Sequence, residues 1–166
     1  GKVYRKYLQC GKFQDDVKWL QNVSFSIYDV NGDGVKELIF KGWDNDNQRY
    51  QYLIYSCKDK EVQYEDSFEN WQNGGNGEIY VNGTAGRVIV NTRLADRQTY
   101  TIYNVTEGIE PEYSVSRYSA DEKNDQGEYE RVYVYTTLDS EGNETDAKIS
   151  TDDQWAEFEN FLTEIP

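Results

Sequence analysis

The chain has no histidine and no methionine, and only two cysteines and two prolines among its 166 residues. Without imidazole, the Ser-His-Asp and Cys-His nucleophile arrangements are excluded, as are the usual nitrogen ligands of zinc. Cys10 and Cys57 lie far apart in sequence and outside any CxxC pair. That excludes a scaffold dependent on disulfide staples and leaves open one Cys10–Cys57 bond or two separate small hydrophobes. No apolar run approaches the length of a membrane span, so membrane insertion of this segment is not expected. The chain opens Gly1-Lys2-Val3 without Met. Gly1 reads as a tag scar, with any signal or anchor lying upstream. Positive charge is scarce as well: 17 Lys and Arg stand against 31 Asp and Glu, a formal charge of −14. Such a field repels phosphate backbones and anionic membranes, which disfavours nucleic acid and suits cations, basic partners or neutral sugars.

Aromatic residues, by contrast, are abundant, with 15 Tyr and 4 Trp. Large faces with a polar handle fit half-buried strand positions, so the composition favours strands over helices. Near the N-terminus Val3, Tyr4, Tyr7 and Leu8 share one face at helical spacing, and Gly11 is a stop. Phe13 or Asp16 with Val17 and Leu20 makes a second short turn. The period then drops to two: Val23, Phe25 and Ile27 alternate with Ser24, Ser26 and Tyr28, which predicts a strand buried on one face. Strands are expected at Leu38-Ile39-Phe40, 49–56, 61–66, 78–81, 86–92, 98–105, 112–118 and 129–136. Asn82-Gly83 is a hairpin turn, 67–77 a loop, and Asp121 to Gly127 a mobile polar linker. A closing helix is capped by Ser150 or Thr151, with Asp152 and Asp153 in its first turn. Trp155, Phe158, Leu162 and Ile165 form its apolar stripe. The expected fold is a single α+β domain over 1–166. It is an antiparallel, strongly curved sheet of about seven to nine strands with N-terminal and C-terminal helices.

The most specific stretch is Asp29-Val30-Asn31-Gly32-Asp33-Gly34-Val35-Lys36-Glu37. Asp29, Asn31 and Asp33 set a side-chain oxygen at every second position, Val35 offers a backbone carbonyl, and Glu37 adds a carboxylate. Gly34 allows the chain to curl. Six to eight oxygens suit Ca²⁺, whereas Mg²⁺ requires a regular octahedron and retains water. A full EF-hand loop places a bidentate Glu at its twelfth position, and here that position is Phe40, inside an apolar strand. Glu37 therefore takes the carboxylate role, direct or through water. The site residues are Asp29, Asn31, Asp33, Val35 and Glu37, and the expected cofactor is Ca²⁺ in a structural role. The competing reading is a plain polar hairpin turn.

The segment from Tyr28 to Ile39 resembles the D-x-[DN]-x-D-G-x-x-E-L motif of uncharacterised secreted or lipid-anchored proteins of Gram-positive Firmicutes. A related loop occurs in FG-GAP repeats, but the single copy here argues against a propeller. The resemblance implies an extracellular or cell-surface bacterial protein, with a lipid anchor upstream, and supplies no activity.

Trp43 with Asp44, Asn45, Asp46 and Asn47 could extend the cation site, edge a sugar site, or be a hairpin turn. Trp71 with Gln72, Asn73 and Asn76 raises the same sugar reading. Trp19 and Trp155 are assigned to the core. The expected function is a binding domain for glycan or another envelope protein, stabilised by one Ca²⁺ and not an enzyme. The alternatives are an accessory envelope domain without further ligand, and a glycoside hydrolase or other carbohydrate-active enzyme.

Overall fold

A computed structural model describes residues 2–9, 11–71, 78–81 and 86–164. The strands form two antiparallel sheets rather than one. The first holds β1 (Leu20–Tyr28), β2 (Glu37–Asp44), β3 (Arg49–Lys58) and β4 (Glu61–Trp71) in chain order. The second holds β5 (Ile79–Val81), β6 (Arg87–Leu94), β7 (Arg97–Asn104), β8 (Glu110–Lys123) and β9 (Tyr129–Asp139), with the two-residue β10 (Thr163–Glu164) beside β5. Helices α1 (Lys2–Gln9) and α2 (Lys12–Val17) precede β1, and α3 (Asp152–Asn160) follows β9. Residues 67–71 of the expected 67–77 loop belong to β4, while Cys10, the rest of that expected loop, the expected Asn82-Gly83 turn and Ile165 lie outside the described residues. So does the question of a Cys10–Cys57 bond.

Three apolar clusters define four layers. Tyr4 and Val17 from the helical segment pack with Leu38, Phe40, Leu53 and Tyr55 on one face of the first sheet. Ile39, Tyr52, Ile54 and Phe68 on its other face meet Ile79, Val81, Val88 and Val90 of the second sheet. The outer face of that sheet packs Ile89, Tyr100, Ile102 and Val115 against Trp155 of α3. Because β2 is covered on both sides, Leu38-Ile39-Phe40 reads as an unbroken apolar run instead of an alternation. Each fully buried Leu or Phe side chain contributes on the order of 1.5–3 kcal/mol. Thr151 caps α3, its side-chain oxygen accepting from the Gln154 amide at 3.2 Å.

Several sequence expectations need correction. Val23, Phe25 and Ile27 do alternate, but β1 is an edge strand. All three are exposed, Phe25 by 54%. Leu20 begins β1 instead of continuing the second helical turn. Trp19 is not core: it is 47% exposed, with its indole N–H donated to the Asp16 carbonyl at 3.0 Å. Residues 121–127 are not a mobile linker, since β8 runs on to Lys123. A tight turn closes there, with Asn124 Oδ1 accepting from the Gln126 and Glu128 amides.

Candidate cation loop and neighbouring cavities

The β1–β2 connection curls around its own oxygens. Asp29 accepts from the amides of Gly32 (2.8 Å) and Gly34 (2.9 Å), one on each carboxylate oxygen. Asn31 Oδ1 accepts from the Asp33 amide at 3.0 Å, and Asp33 Oδ1 from the Val35 amide at 2.6 Å. Gly32 and Gly34 take the left-handed conformation, with φ of 77° and 84°, which a side chain would strain. Asp29, Asn31 and Asp33 are thus brought to one short curl. Val35 is half exposed at its end.

Glu37 goes elsewhere. It shares the inward face of β2 with Ile39, is 4% exposed, and accepts the Val30 amide at 2.9 Å. Burial is the chief cause of a carboxyl pushed up to about 7, with Asp33 and Asp29 adding repulsion against the bond from Val30. Among the described residues, no three His, Cys, Asp or Glu side chains stand together as a metal-binding group. The expected set therefore divides into a curl of three oxygen-bearing side chains and one carboxylate held behind it. Each carboxylate has about four acceptor positions, so one amide bond per oxygen leaves capacity for a cation.

The loop is seated on the second sheet. Gly86 takes φ 58°, and a Cβ there would lie 2.4 Å from Thr106 Cγ2 and 2.8 Å from the Asn31 carbonyl oxygen. From the first layer, the Tyr4 hydroxyl donates to the Lys36 carbonyl at 2.7 Å. Behind the loop, Glu37, Ile54, Ser56 and the 105–109 connection line a cavity of about 390 Å³ that also holds Lys58 and Glu65. Burial opposes ionisation of Glu65, but hydrogen bonds from Lys58 and Ser56 outweigh it and hold its carboxyl below the usual range. The Lys58–Glu65 ion pair spans 2.8 Å. Sequence reasoning missed these two residues, whose local pattern is that of ordinary solvent-facing strand positions.

The Trp43–Asn47 segment does not extend the cation site. It lies at the far end of β2 from Glu37, where Asp44 accepts from the Asp46 and Asn47 amides and from Asn47 Nδ2 (3.1, 3.2 and 2.7 Å). The Asn47 side chain is the main cause of an Asp44 carboxyl held below its ordinary value. Trp43 packs edge-on against Tyr50, ring centres 5.1 Å apart. On the opposite face, Asp16, Trp19, Asn47, Arg49, Gln51 and Tyr64 line an open groove of about 510 Å³ beyond the end of α2. The side chain of Trp71 lies outside the described set, within a segment that begins at Glu69.

No family model, curated protein or solved structure matches the chain. Among the described residues, no helix is long and apolar enough to cross a membrane.

Proposed function

We propose that this chain is a secreted or cell-surface binding domain, stabilised by one Ca²⁺ held at Asp29, Asn31, Asp33 and the Val35 carbonyl. Glu37 completes the set through water or after turning toward the ion. The observation that carries the cation role is the curl itself: Asp29, Asn31 and Asp33 gather their side-chain oxygens in one short segment, with Glu37 behind it, pushed up to about 7 chiefly by burial and then by repulsion from Asp33 and Asp29. A divalent ion at this position would favour the charged form of Glu37 and relieve its repulsion with Asp29 and Asp33.

The ligand class supported best is a neutral glycan in the groove beside α2. Trp19 is 47% and Tyr64 54% exposed, and between them lie amide, guanidinium and carboxylate groups suited to sugar hydroxyls. A chain with charge −14 disfavours anionic ligands. A glycan array probed with the wild type and with Trp19→Ala and Tyr64→Ala tests this role. Binding lost in both folded variants supports it, and an array with no binding removes it. A hydrolase is the second reading, favoured by one observation: Glu37 and Glu65 line one cavity with their carboxyls pushed in opposite directions. Turnover of chromogenic glycosides, lost in Glu37→Gln and Glu65→Gln, would establish it.

A further inference from the structure

The sheet edges are treated very differently. β4 carries Glu61, Glu65 and Asp66, and β9 carries Glu130 and Arg131. The exposed Tyr129 and Tyr133 of β9 lie under Lys123 and Arg117, at 5.3 and 4.9 Å. Charged side chains are a usual protection of a strand edge. β1 has none. Its nine residues, Leu-Gln-Asn-Val-Ser-Phe-Ser-Ile-Tyr, contain no charged side chain and no proline. In a chain of charge −14, such a neutral run on an open edge stands out.

The apolar residues of β1 are also arranged symmetrically. Val23 packs over Gly42, Phe25 meets Phe40 with ring centres 6.4 Å apart, and Ile27 is paired with Leu38. All three lie on the helix-bearing face, yet α1 and α2 leave them 37%, 54% and 37% exposed. Pairing with β2 is regular from Ser24 to Tyr28, while Val23 lies inside the irregularity between Gln21 and Ser24 and keeps its place over Gly42. An antiparallel copy of the strand centred on Phe25 would set Phe25 against itself and Val23 against Ile27. Every exposed apolar side chain of the strip then meets another, and the free backbone groups of the edge are paired.

We propose that β1 is the seam of a homodimer, in which β1 of two copies pairs antiparallel about Phe25 and joins two four-stranded sheets into one. A second copy fits better than an unrelated chain because the strip is self-complementary in register and brings no charge of either sign to the seam. Repulsion between the two acidic bodies opposes it, so added salt tightens the dimer. One strand pair with its flanking side chains is a small interface, so association is weak and depends on concentration.

Sedimentation equilibrium of the 166-residue chain tests this, with folding followed by circular dichroism. The expected result is a monomer–dimer equilibrium whose dissociation constant falls about tenfold between roughly 0.05 and 0.5 M NaCl as screening lengths shorten. Phe25→Lys and Ile27→Lys each shift it toward monomer by at least about tenfold, the cost expected of burying an unpaired charge. Ile27→Lys provides the result should Phe25→Lys fail to fold. In a chain whose two native cysteines are replaced by serine, Phe25→Cys cross-links to itself on mild oxidation and Ile27→Cys does not. A monomer of 19.4 kDa at every salt and protein concentration overturns the proposal. So does a dimer unaffected by Ile27→Lys, or one in which Phe25→Cys does not cross-link.

Discussion

The loop at 29–37 and the turn at 44–47 flank the same strand and begin alike, with an aspartate gathering amide donors. In the turn Asp44 takes three donors from its own neighbours, and its carboxyl is held below the ordinary value, chiefly by the Asn47 side chain. The turn at 139–143 repeats this, with Asp139 accepting from the Glu141 and Asn143 amides and Asn143 Nδ2. The 29–37 loop follows the same hydrogen-bond rule yet ends with its buried carboxyl pushed up to about 7. Hydrogen bonds organise all three segments; only the first ends on a carboxyl raised by burial, with Asp33 and Asp29 adding repulsion. The proposed cation loop thus differs from the two Asp-rich turns in this raised carboxyl, while the backbone bonds look the same.

Unseating the loop should have the largest effect. Gly86→Ala places a Cβ 2.8 Å from the Asn31 carbonyl at a left-handed φ. It should cost about 3 kcal/mol in chemical denaturation and weaken Ca²⁺ binding with it. Asp33→Ala should reduce Ca²⁺ affinity by about 100-fold while leaving circular dichroism nearly unchanged, whereas Asp46→Ala leaves affinity intact. Calorimetric titration of the two variants separates loop from turn.

Glu37 sharpens the contrast through pH. The folded protein retains this proton up to about 7, whereas the ordinary value is 4.5. Between those values the folded state binds more protons than the unfolded one, so stability of the metal-free protein falls as pH rises, by about 3 kcal/mol. Glu37→Gln should remove that decline and the added stability from Ca²⁺ together, measured as urea midpoints across pH 4 to 8. Asp44 has the opposite sign. Its carboxyl is held below the ordinary value, so its stabilisation is present at neutral pH and lost as acid protonates it. Asp44→Asn should give the smallest change of the series, seen only as a weaker loss of stability below the ordinary carboxylate range.

Much of the fold was legible in local patterns. The helical faces of Tyr4 and Trp155, the Thr151 cap and nearly all strand positions follow from periodicity and turn chemistry. What local patterns lack is which strand lies at an edge. Val23, Phe25 and Ile27 alternate as a half-buried strand does, but the helices cover β2 and β3 and leave β1 open. The division into two sheets was hidden for the same reason, because consecutive hairpins look alike whether or not they share a sheet. At the loop, Asp29, Asn31 and Asp33 were placed together by spacing alone. The inward turn of Glu37 depends on the strand parity it shares with Ile39. Lys58 and Glu65 join its cavity through strands distant in sequence.

Calorimetric titration of Ca²⁺ into chelator-stripped protein at neutral pH, with thermal melting alongside, tests whether residues 29–37 hold a cation where the 44–47 turn does not. The expected result is one saturable site, with a dissociation constant of about 10⁻⁴ to 10⁻³ M, and a raised melting temperature. No saturable heat and an unmoved melting temperature at about 10 mM Ca²⁺, well above that range, would contradict it and leave residues 29–37 as a polar hairpin.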